Sequence, residues 1–145
     1  MEHRTSTLEL RQKLREELLA TYEKDGSKFI SPEILNSEAF IHLHDYIKTK
    51  QFLPADNPLW REMEETVRRV SPEFISNLKI LTLGKLTLLD IQTCLLIKFG
   101  VKPSEMTFLL RRAKGTIVSR RENLGKKIFD RKTGSKTTDG IISLI

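Results

Sequence analysis

The chain predicts an all-α fold, and three observations carry that expectation. Ser31-Pro32-Glu33, Asn57-Pro58 and Ser71-Pro72-Glu73 each place a capping side chain before a proline, the arrangement that opens a helix at a sharp corner. Leu10, Leu14 and Leu18 recur four apart with charges between them, which is helical spacing. Period-two alternation rich in β-branched residues is almost absent. An apolar share of 39% beside a charged share of 30% suits thin stripes on helices better than a large enzyme core.

In chain order, a first helix is expected from about Ser6 to Lys24, stopped at Asp25-Gly26-Ser27 with Gly26 suited to a left-handed cap. Its narrow stripe must pack on the rest of the chain or on a second copy. A second helix opens at Ser31 and carries Ile34, Leu35, Phe40, Leu43 and Ile47 to about Gln51. A third follows Asn57, with Trp60, Met63 and Val67 as its stripe, and a fourth is expected to be capped by Ser71, with Phe74, Leu78 and Leu81. Leu83-Gly84-Lys85 breaks the chain. Thr87 then caps a fifth helix running to Phe99, with Asp90 placed to complete a capping box. Gly100 closes it. Pro103-Ser104-Glu105 opens a sixth helix ending near Arg112, Ala113-Lys114-Gly115 makes a short turn, and a seventh helix covers Thr116 to Phe129. A last apolar helix is expected from Asp139 to Ile145. This order divides the chain into a helical linker, dimerisation or signal-relay region (1–82) and a compact domain (83–145).

Charge is concentrated rather than spread. Residues 102–136 hold eleven Lys or Arg against Glu105, Glu122 and Asp130, a local net of +8, so the remainder of a +6 chain nets −2. Such a cluster is the electrostatic footprint of a polyanion binder. A single cysteine, Cys94, rules out an internal disulfide and a thiol zinc cluster, and implies a reducing, cytoplasmic setting. No apolar run reaches the roughly 18 residues of a membrane span, so no membrane contact is expected from this segment. Glu2, His3 and Arg4 lead into a charged helix rather than a signal peptide. A soluble end of a longer membrane-anchored sensor fits the same pattern.

Residues 103–129 read as a unit: a short helix, a tight turn and a longer basic helix, which is a helix-turn-helix. At about 100° per residue, Ile117, Leu124 and Ile128 cluster on one face of the longer helix. The opposite face presents Ser119, Glu122, Asn123 and Lys126, with Lys114, Gly115 and Thr116 at the tip. Asn pairs bidentately with adenine, Ser serves several base edges, and Glu accepts from cytosine. Thr116, Ser119, Glu122 and Asn123 are therefore the candidate base-contacting residues. Arg111, Arg112, Lys114, Arg120, Lys126 and Lys127 are the candidate phosphate-contacting residues. Arg121 falls on the inward stripe, so its stem should pack while its guanidinium reaches a carboxylate, with Asp90 or Glu105 in range.

Leu86-Thr87, Asp90, Cys94-Leu95, Gly100, Pro103-Ser104-Glu105, Leu109-Leu110, Thr116-Ile117, Leu124 and Lys127-Ile128 together resemble the C-terminal effector domain of LuxR/GerE-type regulators over about residues 84–130. The resemblance implies a four-helix, winged-helix-like domain that recognises promoters, usually as a homodimer. It also makes the preceding helices resemble the linker of a multidomain regulator, joined to an upstream sensor domain or RNA polymerase. Arg121 and Thr107 stand where that family has apolar residues, Val118 where a basic one follows the Thr-Val pair, and Glu122 where a cation is frequent.

Other chemistries find less support. His42-x-His44-Asp45 has ligand-type residues, but side chains two apart on a helix diverge, so these read as surface or boundary residues and no metal is expected. Cys94 sits in an apolar run and reads as a small buried hydrophobe. Phe108 and Phe129 are the aromatics near the basic region in sequence, too few for a single-strand stacking platform. No phosphate loop or triad motif is present and no cofactor is implied, so the chain does not read as an enzyme. Double-stranded DNA is the expected partner and transcription regulation the expected function. The alternatives are a helical adaptor docking an acidic protein and a sigma-factor-like promoter reader.

Overall fold

The computed structural model describes residues 2–25 and 30–145. Among them it is all-helical: α1 (Glu2–Asp25), α2 (Pro32–Leu35), α3 (Glu38–Lys48), α4 (Pro58–Val70), α5 (Phe74–Leu81), α6 (Leu88–Lys98), α7 (Pro103–Leu109), α8 (Lys114–Phe129) and α9 (Ser135–Leu144). No described residue lies in a strand, and the cap expected at Gly26 and Ser27 lies outside the described residues.

The caps explain most boundaries. Ser31 and Asn57 accept the amides of Glu33 and Leu59, each ahead of a proline in the first turn. The helix expected from Ser31 to about Gln51 is instead two. Ser37 accepts the Phe40 amide and gives its hydroxyl to the Ile34 carbonyl, which ends α2 and begins α3. Ser71 does not cap α5: it is the C-cap of α4, its amide bonded to Val67, and Glu73 takes the N-cap position of α5 without a side-chain bond. At α6 the capping box is complete: Thr87 Oγ1 accepts the Asp90 amide at 3.1 Å, and Asp90 Oδ2 accepts the Thr87 amide at 3.0 Å.

One hydrophobic cluster joins these helices, drawing on Leu43, Met63 and Phe74 from the first half and on Leu96, Met106, Leu124 and Ile141 from the second. Trp60 is buried and donates its indole N–H to the Pro54 carbonyl. The Leu53 amide donates to the Leu109 carbonyl, tying the segment before α4 to the end of α7. Helix α1 lies along α5 and α9, with Leu14, Leu18, Leu19 and Tyr22 against the core. Of its stripe, Leu10 and the neighbouring Leu8 are exposed, whereas Leu14 and Leu18 are thus covered within the chain. Gly140 permits this: a β-carbon there would collide with the Tyr22 ring.

Candidate nucleic-acid interface

Helix α8 is anchored through its inner face. Ile117, Leu124 and Ile128 are buried, and Arg121 lies on the same stripe with 4% exposure. Its guanidinium meets neither Asp90 nor Glu105. Instead Nε and Nη2 donate to the two carboxylate oxygens of Asp139 at 2.8 and 2.5 Å. The reason is the start of α9, which begins at Ser135 rather than near Asp139 and so sets Asp139 facing α8. Gly125 allows the approach, since a β-carbon there would strike Thr138 and Thr133.

Asp90 is used differently. It is buried at the start of α6 and accepts Lys127 Nζ at 2.5 Å, with Arg120 Nη1 at 3.6 Å. Burial alone would raise the Asp90 pKa, but the Lys127 ammonium and the Thr87 amide outweigh it and hold the carboxyl below its ordinary value. Glu105 accepts the Lys102 amide at the start of α7.

The turn between α7 and α8 also differs from the expected one. Lys114 and Gly115 are already helical, and the left-handed residue is Arg111, with φ of 52°. The turn therefore occupies Leu110 to Ala113. Arg111 is exposed and stacks over Phe52 with its guanidinium carbon 4.0 Å from the ring centre. The fold brings that aromatic to the basic region from before α4, which neighbours in sequence did not reveal. Arg112, Lys114, Gly115 and Thr116 are exposed around the same tip. Ala113 caps α8 without a side-chain bond, so the first-turn amides have no side-chain acceptor from the cap.

The outward face of α8 carries Ser119, Asn123 and Lys126, all exposed, and the half-buried Glu122, 3.9 Å from Lys132. Ser119, Glu122, Asn123, Lys126 and Lys132 bound a shallow open groove. The candidate residues thus separate. Arg111, Arg112, Lys114, Thr116, Ser119, Asn123 and Lys126 share an exposed surface with the edge of Glu122, whereas Arg120 and Lys127 turn to the Asp90 flank.

A clamp at the C-terminal end of α8 went undetected in the sequence. Asp130 ends the helix in the left-handed conformation, with φ of 59°. Arg11 of α1, 4% exposed, donates to the Lys127 and Ile128 carbonyls at 3.1 Å, to Asp130 at 3.0 Å and to the Leu81 carbonyl at 2.8 Å. Arg15 adds a second bond to Asp130 at 3.1 Å. Hydrogen bonding to Arg11 is the chief cause that holds the Asp130 carboxyl below its ordinary pKa. A cation at helix carbonyls is favourable, but no local pattern links residue 11 to residue 130.

Elsewhere, His42 Nδ1 lies 2.9 Å from Glu62, and the His44 ring sits tilted by 41° against Phe40 with centroids 4.1 Å apart. Among the described residues no group of three His, Cys, Asp or Glu could hold a metal ion. Cys94 is fully buried, which pushes its thiol pKa upward, away from reactivity. No helix among the described residues is long and apolar enough to cross a membrane. No protein-family model matches the chain, and neither a curated protein nor a solved structure is significantly similar to it.

Proposed function

We propose that this chain binds double-stranded DNA in a sequence-specific manner and regulates transcription, with α8 in the major groove. The observation that carries the reading is the two-faced character of α8. Its inner face is fixed by Ile117, Leu124, Ile128 and the Arg121–Asp139 pair, while its outer face offers Ser119, Asn123 and Lys126 to solvent beside a cationic tip. A helix held that way can enter a groove without disturbing its own packing. Thr116, Ser119, Glu122 and Asn123 read bases, and Arg111, Arg112, Lys114 and Lys126 neutralise phosphates. Helices α6 to α9 then form the LuxR/GerE-type effector domain that the sequence resembles, acting as a homodimer in the cytoplasm. The helices before α6 link it to an upstream sensor or to RNA polymerase.

The test is fluorescence anisotropy with a random-sequence duplex pool across a salt series, on the natural chain and on Arg111→Ala/Arg112→Ala/Lys114→Ala. Binding that weakens steeply with salt is expected, with a slope shallower in the variant by about 0.9 for each phosphate that is no longer neutralised. A folded chain that binds no duplex at low salt refutes the reading and directs the search to an acidic protein partner.

A further inference from the structure

Beside the reading face lies a second cationic feature. The loop after α5 turns through two consecutive left-handed residues, Leu83 at φ 53° and Gly84 at φ 76°, and carries Lys85 outward. Its base is rigid. Thr82 is buried and donates its hydroxyl to the Leu78 carbonyl at 2.7 Å, and Arg11 holds the Leu81 carbonyl. Across from this loop stand Arg120, Asn123 and Lys126 of α8, and an open cleft of about 410 Å³ separates the two walls.

The charges in the cleft are unbalanced. Both of its carboxylates are already matched, Asp90 by Lys127 and Asp130 by Arg11 and Arg15. Lys85 and Lys126 are exposed and take part in no ion pair among the described residues. Arg120 is under-used: Nη1 stays 3.6 Å from Asp90, and its buried Nε has no hydrogen-bond partner among the described residues. A phosphate oxygen in the cleft would take a charge-assisted bond from the exposed part of this guanidinium, which Asp90 holds only at 3.6 Å.

Position selects the source of the phosphate. Asn123 and Lys126 line both this cleft and the groove on the reading face. A duplex lying on that face therefore carries a strand past the cleft, whose open form suits a passing backbone better than an enclosed small ligand. We propose that the cleft between the Thr82–Lys85 loop and α8 seats a DNA backbone phosphate, held by Lys85, Lys126 and Arg120. This rests on the DNA-binding reading above. It makes Lys85 a positioning contact that fixes the angle of α8 on the duplex, while Lys127 stays committed to Asp90.

Lys85→Ala and Lys85→Glu, on the full chain, are compared with the natural chain on the random duplex pool across a salt series. Lys85 is exposed on its loop, so both variants are expected to keep the natural circular-dichroism spectrum. The expected result for Lys85→Ala is a salt slope shallower by about 0.9, equivalent to roughly a 3.5-fold smaller change in affinity between 50 and 200 mM salt. Lys85→Glu should weaken binding further, and equally for all sequences. A natural chain that binds the pool, with both variants matching its affinity and slope, overturns this proposal and leaves the DNA-binding reading intact. Failure of the natural chain to bind the pool overturns both. Inorganic phosphate is titrated as a third arm, read by the Arg120 Nε–H resonance. Saturation there, with a DNA slope indifferent to Lys85, assigns the cleft to a free phosphate and also overturns the proposal.

Discussion

Asp139→Ala tests whether α8 is held by charge as well as by apolar contact. The substitution leaves Arg121, 4% exposed, without the carboxylate that accepts its bonds at 2.8, 3.1 and 2.5 Å. Removing one partner of a buried pair costs about 3–5 kcal/mol, because the remaining charge stays desolvated and uncompensated. Against a typical total stability of roughly 5–15 kcal/mol, that is a large share. At about 2–4 °C per kcal/mol for a chain of this size, the melting temperature should fall by about 10 °C. Urea unfolding followed by circular dichroism measures the change. The double variant Arg121→Met/Asp139→Leu removes both charges and fills the space with apolar atoms, so it should recover most of that stability. A single variant within about 1 kcal/mol of the natural chain would refute the reasoning, as the median exposed pair is worth no more than that. A double variant as unstable as the single one would place the cost in poorer packing instead.

Asn123→Ala removes an exposed side chain of the reading face and should cost about 1–3 kcal/mol on a selected cognate duplex, while leaving affinity for random duplex nearly unchanged. Equal losses on both, measured by competition anisotropy, would move Asn123 from base reading to backbone contact. His42 should titrate above its ordinary value, chiefly because of its hydrogen bond to Glu62, and Glu62→Gln should return it towards 6.5 in an NMR titration. Since the folded value is the higher one, the stabilising effect is complete below pH 6.5 and disappears as pH rises through the raised value. An unchanged His42 titration in Glu62→Gln would remove Glu62 as the cause.

Much of the helix order follows from local chemistry, which is why it can be read from the chain. Ser31, Asn57 and Thr87 satisfy amides within three residues of themselves, so their caps are visible as short patterns. Ser37 shows the limit of that reading. It lies in a run with continuous helical apolar spacing, yet its hydroxyl interrupts the backbone ladder and divides the expected helix. The start of α9 at Ser135 was hidden for another reason. Ser135 to Thr138 are polar or small and look like a loop, but packing against α8 buries Thr138 and Asp139.

The candidate site was legible where it depends on helical periodicity and obscure where it depends on tertiary pairing. The wheel places Ser119, Asn123 and Lys126 outward and Arg121 inward, as the structure has them. No periodicity identifies the carboxylate that a cation meets, and this changes how the charge cluster is understood. Among the cations of residues 102–136, Arg121 is neutralised by Asp139 and Lys127 by Asp90, while Lys132 stands 3.9 Å from Glu122. The cluster's net of +8 leaves out Asp90 and Asp139, and equally Arg11 and Arg15 that meet Asp130, because all four lie outside that stretch of sequence. The charge presented to a polyanion is accordingly more directional than the count implies. It is concentrated at Arg111, Arg112 and Lys114 on the tip of α8 and at Lys126 on its outer face, with Lys85 brought beside them by the fold. Counterion release reports only cations that are free to replace counterions, so the salt slope measures this exposed set and not the composition.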